Sequence, residues 1–159
     1  GFCKAHDRIG HLLLRERRVL AGAVRVYRAA IEADPGNANA HLNLGLLLLD
    51  TRQDLDGAEK AFRTAIEADP GNANAHQNLT SLLLDRANRI KVQNGDMAKA
   101  AALHDEAAAH YTLVVGPEHE VVQKIKAEAV RLRAVSVANA RRGGSGDPRK
   151  GKGGRKGGR

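Results

Sequence analysis

Along most of the chain, apolar residues recur three and four positions apart. Leu44, Leu47 and Leu48 form one such set, and Ala58, Phe62, Ala65 and Ile66 form another. That period puts each set on one face of an α-helix. The pattern breaks at Asp34-Pro35-Gly36-Asn37 and again at Asp69-Pro70-Gly71-Asn72. Proline removes a backbone donor and glycine turns the chain, so each tetrapeptide ends one helix and reverses direction. Val121, Val122, Ile125, Ala129 and Leu132 make a last apolar stripe, with Lys124, Lys126, Glu128, Arg131 and Arg133 between them. They predict a helix over 118–140, and the chain as a whole reads as all-α.

The pattern is also repeated. The segment from Ala30 to His41 recurs letter for letter as Ala65 to His76, an offset of 35 residues. One further step back brings Ala5-His6 into register with Ala40-His41. His6, Ile9, Gly10 and Leu13 align with His41, Leu44, Gly45 and Leu48, and then with His76, Leu79, Thr80 and Leu83. Ala23, Tyr27, Ala30 and Pro35 align with Ala58, Phe62, Ala65 and Pro70. Gly10 and Gly45 let two helices approach closely, and the aromatic ring of Tyr27 or Phe62 fills the gap between them. Each unit is therefore a helix–turn–helix hairpin that buries one apolar side against its neighbour.

The third unit is longer, with 47 residues from Pro70 to Pro117 against 35 from Pro35 to Pro70. The 12 additional residues lie around Arg86 to Met97, where Asn94-Gly95-Asp96 offers a glycine C-cap and an aspartate N-cap. Shared equally, they lengthen each arm by about six residues, which is under two turns. Two long antiparallel helices over 74–93 and 97–115 follow.

Small, aromatic and proline positions that fall in step over about 34 residues resemble the tetratricopeptide repeat family. The resemblance covers residues 3–117, with repeats at about 3–37, 38–72 and 73–117. It is closest in style to the repeats of O-linked N-acetylglucosamine transferase. Histidine in the opening aromatic slot and one extra residue per repeat are its departures. The resemblance implies a right-handed superhelix of three hairpins, the third elongated. The 118–140 helix would cap the open end; its alternative role is an amphipathic helix that binds a partner.

The resemblance also implies a protein-interaction scaffold, not an enzyme, with first helices lining a concave face. In transferase arrays of this kind, asparagines two residues after the opening position form a ladder along a peptide backbone. Here they are Asn43 and Asn78, with Arg8 in the first repeat. An Asn amide both donates to C=O and accepts from N–H. Asn39, Leu42, Leu46, Asp50, Asn74, Gln77, Ser81 and Asp85 are expected on the same face. The chaperone-binding subfamily uses Lys, Asn and Arg to clamp a terminal carboxylate. Of the corresponding Asp7, His11, Asn43, Asn74 and Asn78, only Asn43 matches, so no carboxylate clamp is expected. A repeat arm of a larger, glycosyltransferase-like enzyme and an RNA-associated accessory protein are the other functions these features allow.

Charge changes the picture at one end. The formal net charge is +8, but Arg141 to Arg159 hold eight cations against Asp147 alone, leaving the rest nearly neutral. Gly143 to Arg159 contains eight glycines and almost no apolar side chain, so residues 141–159 are expected to be a disordered basic tail. Arg149, Lys150, Lys152, Arg155, Lys156 and Arg159 suit weak, nonspecific contact with nucleic-acid phosphates. An import signal or a solubilising tail fits the same composition. Without aromatics to stack on bases, sequence reading is not expected.

The remaining motifs carry little chemistry. Cys3 is the only cysteine, which excludes an internal disulfide. His6, His41 and His76 lie on successive packed helices roughly 8–10 Å apart, too far for shared metal ligation. They read as packing residues. His119-Glu120 lacks the second histidine of a zinc protease motif, and Asn78-Leu79-Thr80 spells a glycosylation sequon within a helix. No metal and no cofactor is expected. No stretch approaches the roughly 18 apolar residues of a membrane span. With no secretory segment, a cytoplasmic or nuclear location is expected. A chain starting at Gly1 is expected to be a fragment or a processed product.

Overall fold

A computed structural model of the chain describes residues 19–52, 54–93 and 95–143. These form helix α1 over 19–33, α2 (Ala38–Arg52), α3 (Leu55–Ala68), α4 (Ala73–Gln93), α5 (Met97–Val115) and α6 (Glu120–Gly143). No strand occurs among the described residues. The first helix expected for repeat one, with His6 and Gly10, lies outside them. So do Arg149, Lys150, Lys152, Arg155, Lys156 and Arg159. Helix α2 packs on α3, α4 on α5, and α5 on α6, while α3 and α2 both touch α4. This is a stack of helical hairpins with α6 packed on its last member.

The repeated tetrapeptide builds one turn twice. The Asp34 carboxylate accepts from the Gly36 N–H at 3.1 Å, and Asp69 accepts from Gly71 at 3.1 Å. Asn37 and Asn72 then cap α2 and α4, accepting from Ala40 at 3.0 Å and Ala75 at 3.1 Å. Each cap satisfies an N–H that the first helical turn leaves without a partner. The histidines complete the turn. His41 Nε2 donates to the Pro35 carbonyl and His76 Nε2 to the Pro70 carbonyl, each at 3.0 Å. These rings do more than fill an aromatic slot, because they tie the inter-repeat turn to the helix that follows it.

Between α2 and α3 the packing is set by Gly45. A Cβ there would lie 2.6 Å from Cε1 of Phe62, a ring with no exposed surface. In the third hairpin Thr80 takes the glycine's place, buried and donating to the His76 carbonyl at 2.8 Å. Its hydroxyl also lies 3.4 Å from the Ala107 carbonyl of α5. Tyr111 sits half-buried and meets His119 edge-on, with ring centroids 6.0 Å apart. Helices α4 and α5 have 21 and 19 residues against 15 and 14 in α2 and α3, so both arms share the added length. Gly95 turns between them at φ 64, and Asp96 caps α5 by accepting from Lys99 N–H at 2.9 Å.

The core runs continuously from Leu42 and Leu48 through Phe62, Leu79 and Leu83 to Ala107 and Ile125. Helix α6 buries Val122, Ile125, Ala129 and Leu132. It continues to Gly143, three residues past the expected 140 and into the stretch expected to be a disordered tail. Polar ties add to the apolar ones. Glu59 of α3, almost fully buried, is held between Arg63 and Arg86 of α4, and Arg63 reaches Glu106 of α5 at 2.6 Å. Two cations thus compensate one buried carboxylate, the condition under which such burial is tolerated.

Candidate peptide-binding groove

Helices α2 and α4 open repeats two and three, and the 35-residue offset makes Asn39 and Asn74, Asn43 and Asn78, Leu46 and Ser81, and Asp50 and Asp85 equivalent pairs. Positions 39, 43, 46 and 50 fall three and four apart, so they form one stripe along α2. The structure leaves Asn39, Leu46, Asp50, Asn74, Gln77, Ser81 and Asp85 exposed, and Asn43 and Asn78 half-buried. All of them are accessible to solvent along α2 and α4. Leu42 is the exception, because only 7% of its surface is exposed and it packs in the core with Ala75 and Leu79. Position 42 lies about a quarter turn from the Asn43 stripe, and that turn points it into the α2–α4 junction.

A cleft of about 770 Å³ lies beside Asn43. Ala23 and Tyr27 of α1 form one wall, and Asn43, Leu46, Leu47, Leu49 and Asp50 of α2 form the other. Along α2 its lining runs from the Asn43 amide through three leucines to the Asp50 carboxylate. Tyr27, Leu47 and Leu49 were not expected there. Tyr27 occupies the aromatic slot, which in repeat two is closed by Gly45 and Phe62, so the alignment alone assigned it to the core. Its half-exposure in α1 was the missing information.

Polar groups along α4 are partly engaged within the helix. The Asn78 amide donates to the Asn74 carbonyl at 2.8 Å, and the Ser81 hydroxyl donates to that of Gln77 at 3.1 Å. An amide carries two hydrogens and an acceptor oxygen, so Asn78 keeps capacity for a ligand. Asp50 and Asp85 make one end of the face acidic. Arg86, the nearest cation in sequence to Asp85, pairs instead with Asp56 at 3.0 Å and with Glu59.

At the opposite end, His76 and His110 bring their Nδ1 atoms within 3.0 Å. His76 Nε2 donates to Pro70, so in the neutral ring its Nδ1 accepts and His110 Nδ1–H donates. Burial holds the His110 pKa below the ordinary imidazole range, and the neighbouring His76 lowers it further. Among the described residues no group of three or more His, Cys, Asp or Glu side chains could hold a metal ion. No helix among them is long and apolar enough to cross a membrane.

Residues 8–73 match the family model described as tetratricopeptide repeat. Among solved structures, the crystal structure of MamA is similar at 18% identity, covering 81% of this chain and 93% of that one with a TM-score of 0.39. A search of curated proteins found no match.

Proposed function

With tetratricopeptide repeats over residues 8–73 as the premise, we propose that this chain is a protein-interaction scaffold whose α2–α4 face holds an extended peptide. The observation that carries the reading is the register. Asn43 and Asn78 project from equivalent points on two contacting helices, with an apolar cleft beside the first. Packed helices lie roughly 8–10 Å apart and an extended chain rises about 3.3 Å per residue, so about every third peptide residue meets an asparagine. Such contacts fix the peptide backbone and tolerate varied side chains. Selectivity then comes from the surroundings. The Tyr27–Leu46–Leu49 cleft takes one large apolar side chain, and the exposed carboxylates of Asp50 and Asp85 favour a lysine or arginine nearby.

Selection of a displayed random peptide library on the full chain tests this reading. Recovered sequences should combine an apolar anchor with a basic residue a few positions away. Repeating the selection on an Asp50→Lys, Asp85→Lys variant should replace that basic preference with an acidic one. An unchanged consensus on the variant would place binding elsewhere.

A further inference from the structure

Helix α6 is apolar on two faces. Val122, Ile125, Ala129 and Leu132 are buried in the stack, as a closing helix requires. A second set, Ala127, Val130, Ala134 and Val137, is exposed, with Val130 at 62% and Val137 at 52%. Its spacing of three, four and three is that of a coiled-coil seam. On a helix of 3.6 residues per turn this seam lies roughly opposite the buried one. A helix that only closes a repeat stack presents a polar outer face to water, whereas the outer face of α6 carries this apolar seam among its charges.

The flanks of the outer seam specify what covers it. In the heptad defined by these four residues, the positions beside the seam are Lys124, Lys126, Arg131, Arg133, Ala138 and Ala140. Four of the six are cations, and flanking charges of this kind set partner choice in helix pairs. Lys124 and Arg131 are 72% and 79% exposed despite their pairings with Glu120 and Glu128 on the same helix, while Arg133 pairs with Asp105 of α5. A second copy of α6 in either direction would bring these cations against themselves. We propose that the outer face of α6 docks an acidic amphipathic helix of a partner protein, its apolar residues on the Val130–Val137 seam and its carboxylates on the flanking cations. The partner's helix then stands where a further helix of the stack would. This surface is separate from the α2–α4 groove, so a scaffold with both engages two partners at once.

Fluorescence anisotropy with the full chain tests the proposal. The probe is a synthetic helix of about three heptads with leucine along its seam and glutamate beside it; the control carries lysine in place of glutamate. The glutamate peptide should bind saturably and the lysine peptide should not. Val130→Ser with Val137→Ser should raise the Kd at least roughly tenfold, because two apolar anchors leave the interface while every charge is kept. Ala127→Gln with Ala134→Gln should do the same by obstructing the seam, and both variants should keep the parent's circular dichroism. Lys126→Gln with Arg131→Gln should weaken binding and flatten its salt dependence. Unaltered affinity in the serine variant would assign binding to the basic tail and overturn the proposal. So would equal binding of the lysine peptide, or no binding of the glutamate peptide. Valine-dependent dimerisation in sedimentation, or valine-dependent binding to phosphatidylserine vesicles without peptide binding, would overturn it in favour of a second copy or a membrane surface.

Discussion

Replacing Gly45 by alanine sets two effects of known size against each other. In an open helix the change would stabilise the chain by about 1 kcal/mol, since glycine costs that much relative to alanine. Here the added Cβ would meet Phe62 Cε1 at 2.6 Å, Cδ1 at 2.8 Å and Cζ at 3.2 Å. Carbon atoms in favourable contact sit about 3.5–4.0 Å apart, so the ring or the helix must retreat by about 1 Å. The ring has nowhere open to go, because it is fully buried in one cluster with Ala58, Ala65 and Leu48. Overpacking of this kind costs roughly 1–3 kcal/mol. Steric cost therefore outweighs propensity, and Gly45→Ala should lose about 1 kcal/mol net, with Gly45→Leu losing more. Urea unfolding followed by circular dichroism measures it. The same alanine in a Phe62→Leu background, where the ring is gone, should be neutral or stabilising, which gives a coupling on the order of 1–3 kcal/mol. Stabilisation by Gly45→Ala in the parent chain, or strictly additive costs in the double mutant, would refute the packing described between α2 and α3.

The other predictions concern single side chains. Leu42→Ala should cost about 2–5 kcal/mol in urea unfolding because the side chain is buried, while Leu46→Ala, half-exposed, should cost under about 1 kcal/mol and instead weaken peptide binding. His110 resists protonation in the folded state, so the unfolded chain takes up that proton first, near the ordinary value of 6.5. Stability should be fully present above about pH 6.5 and be lost as pH falls below it. Urea midpoints at neutral and mildly acidic pH should differ less in His110→Gln than in the parent, and equal differences would contradict the account of that pair.

Periodicity and the exact repeat made the helices and the turns legible, because each depends on residues close in sequence or separated by a fixed offset. The third hairpin could be placed from Asn94-Gly95-Asp96 for the same reason. Three features were not legible. Leu42 sits one position off the groove stripe, and only the angle between α2 and α4 decides that it points inward. Tyr27 aligns with Phe62, but alignment does not say how much of each ring its neighbours cover. The Glu59–Arg63–Arg86 cluster joins α3 to α4 through charges that are four apart in one case and 27 apart in the other. Only the first of these follows from helix geometry. The histidines had a readable signal that went unused, namely a proline six residues before both His41 and His76 in step with the repeat.

The central claim is that paired asparagines on α2 and α4 hold a peptide backbone, and titration of a selected peptide against the Asn43→Ala, Asn78→Ala double variant tests it most directly. Each lost hydrogen bond is worth on the order of 0.5–1.5 kcal/mol, so the Kd should rise roughly ten- to a hundredfold. Circular dichroism should not change, since neither side chain belongs to the core. Scrambling the peptide's side chains between the anchor and the basic residue should leave the affinity of the parent chain nearly intact. A double variant that binds as tightly as the parent would contradict the account and move the site off the α2–α4 face.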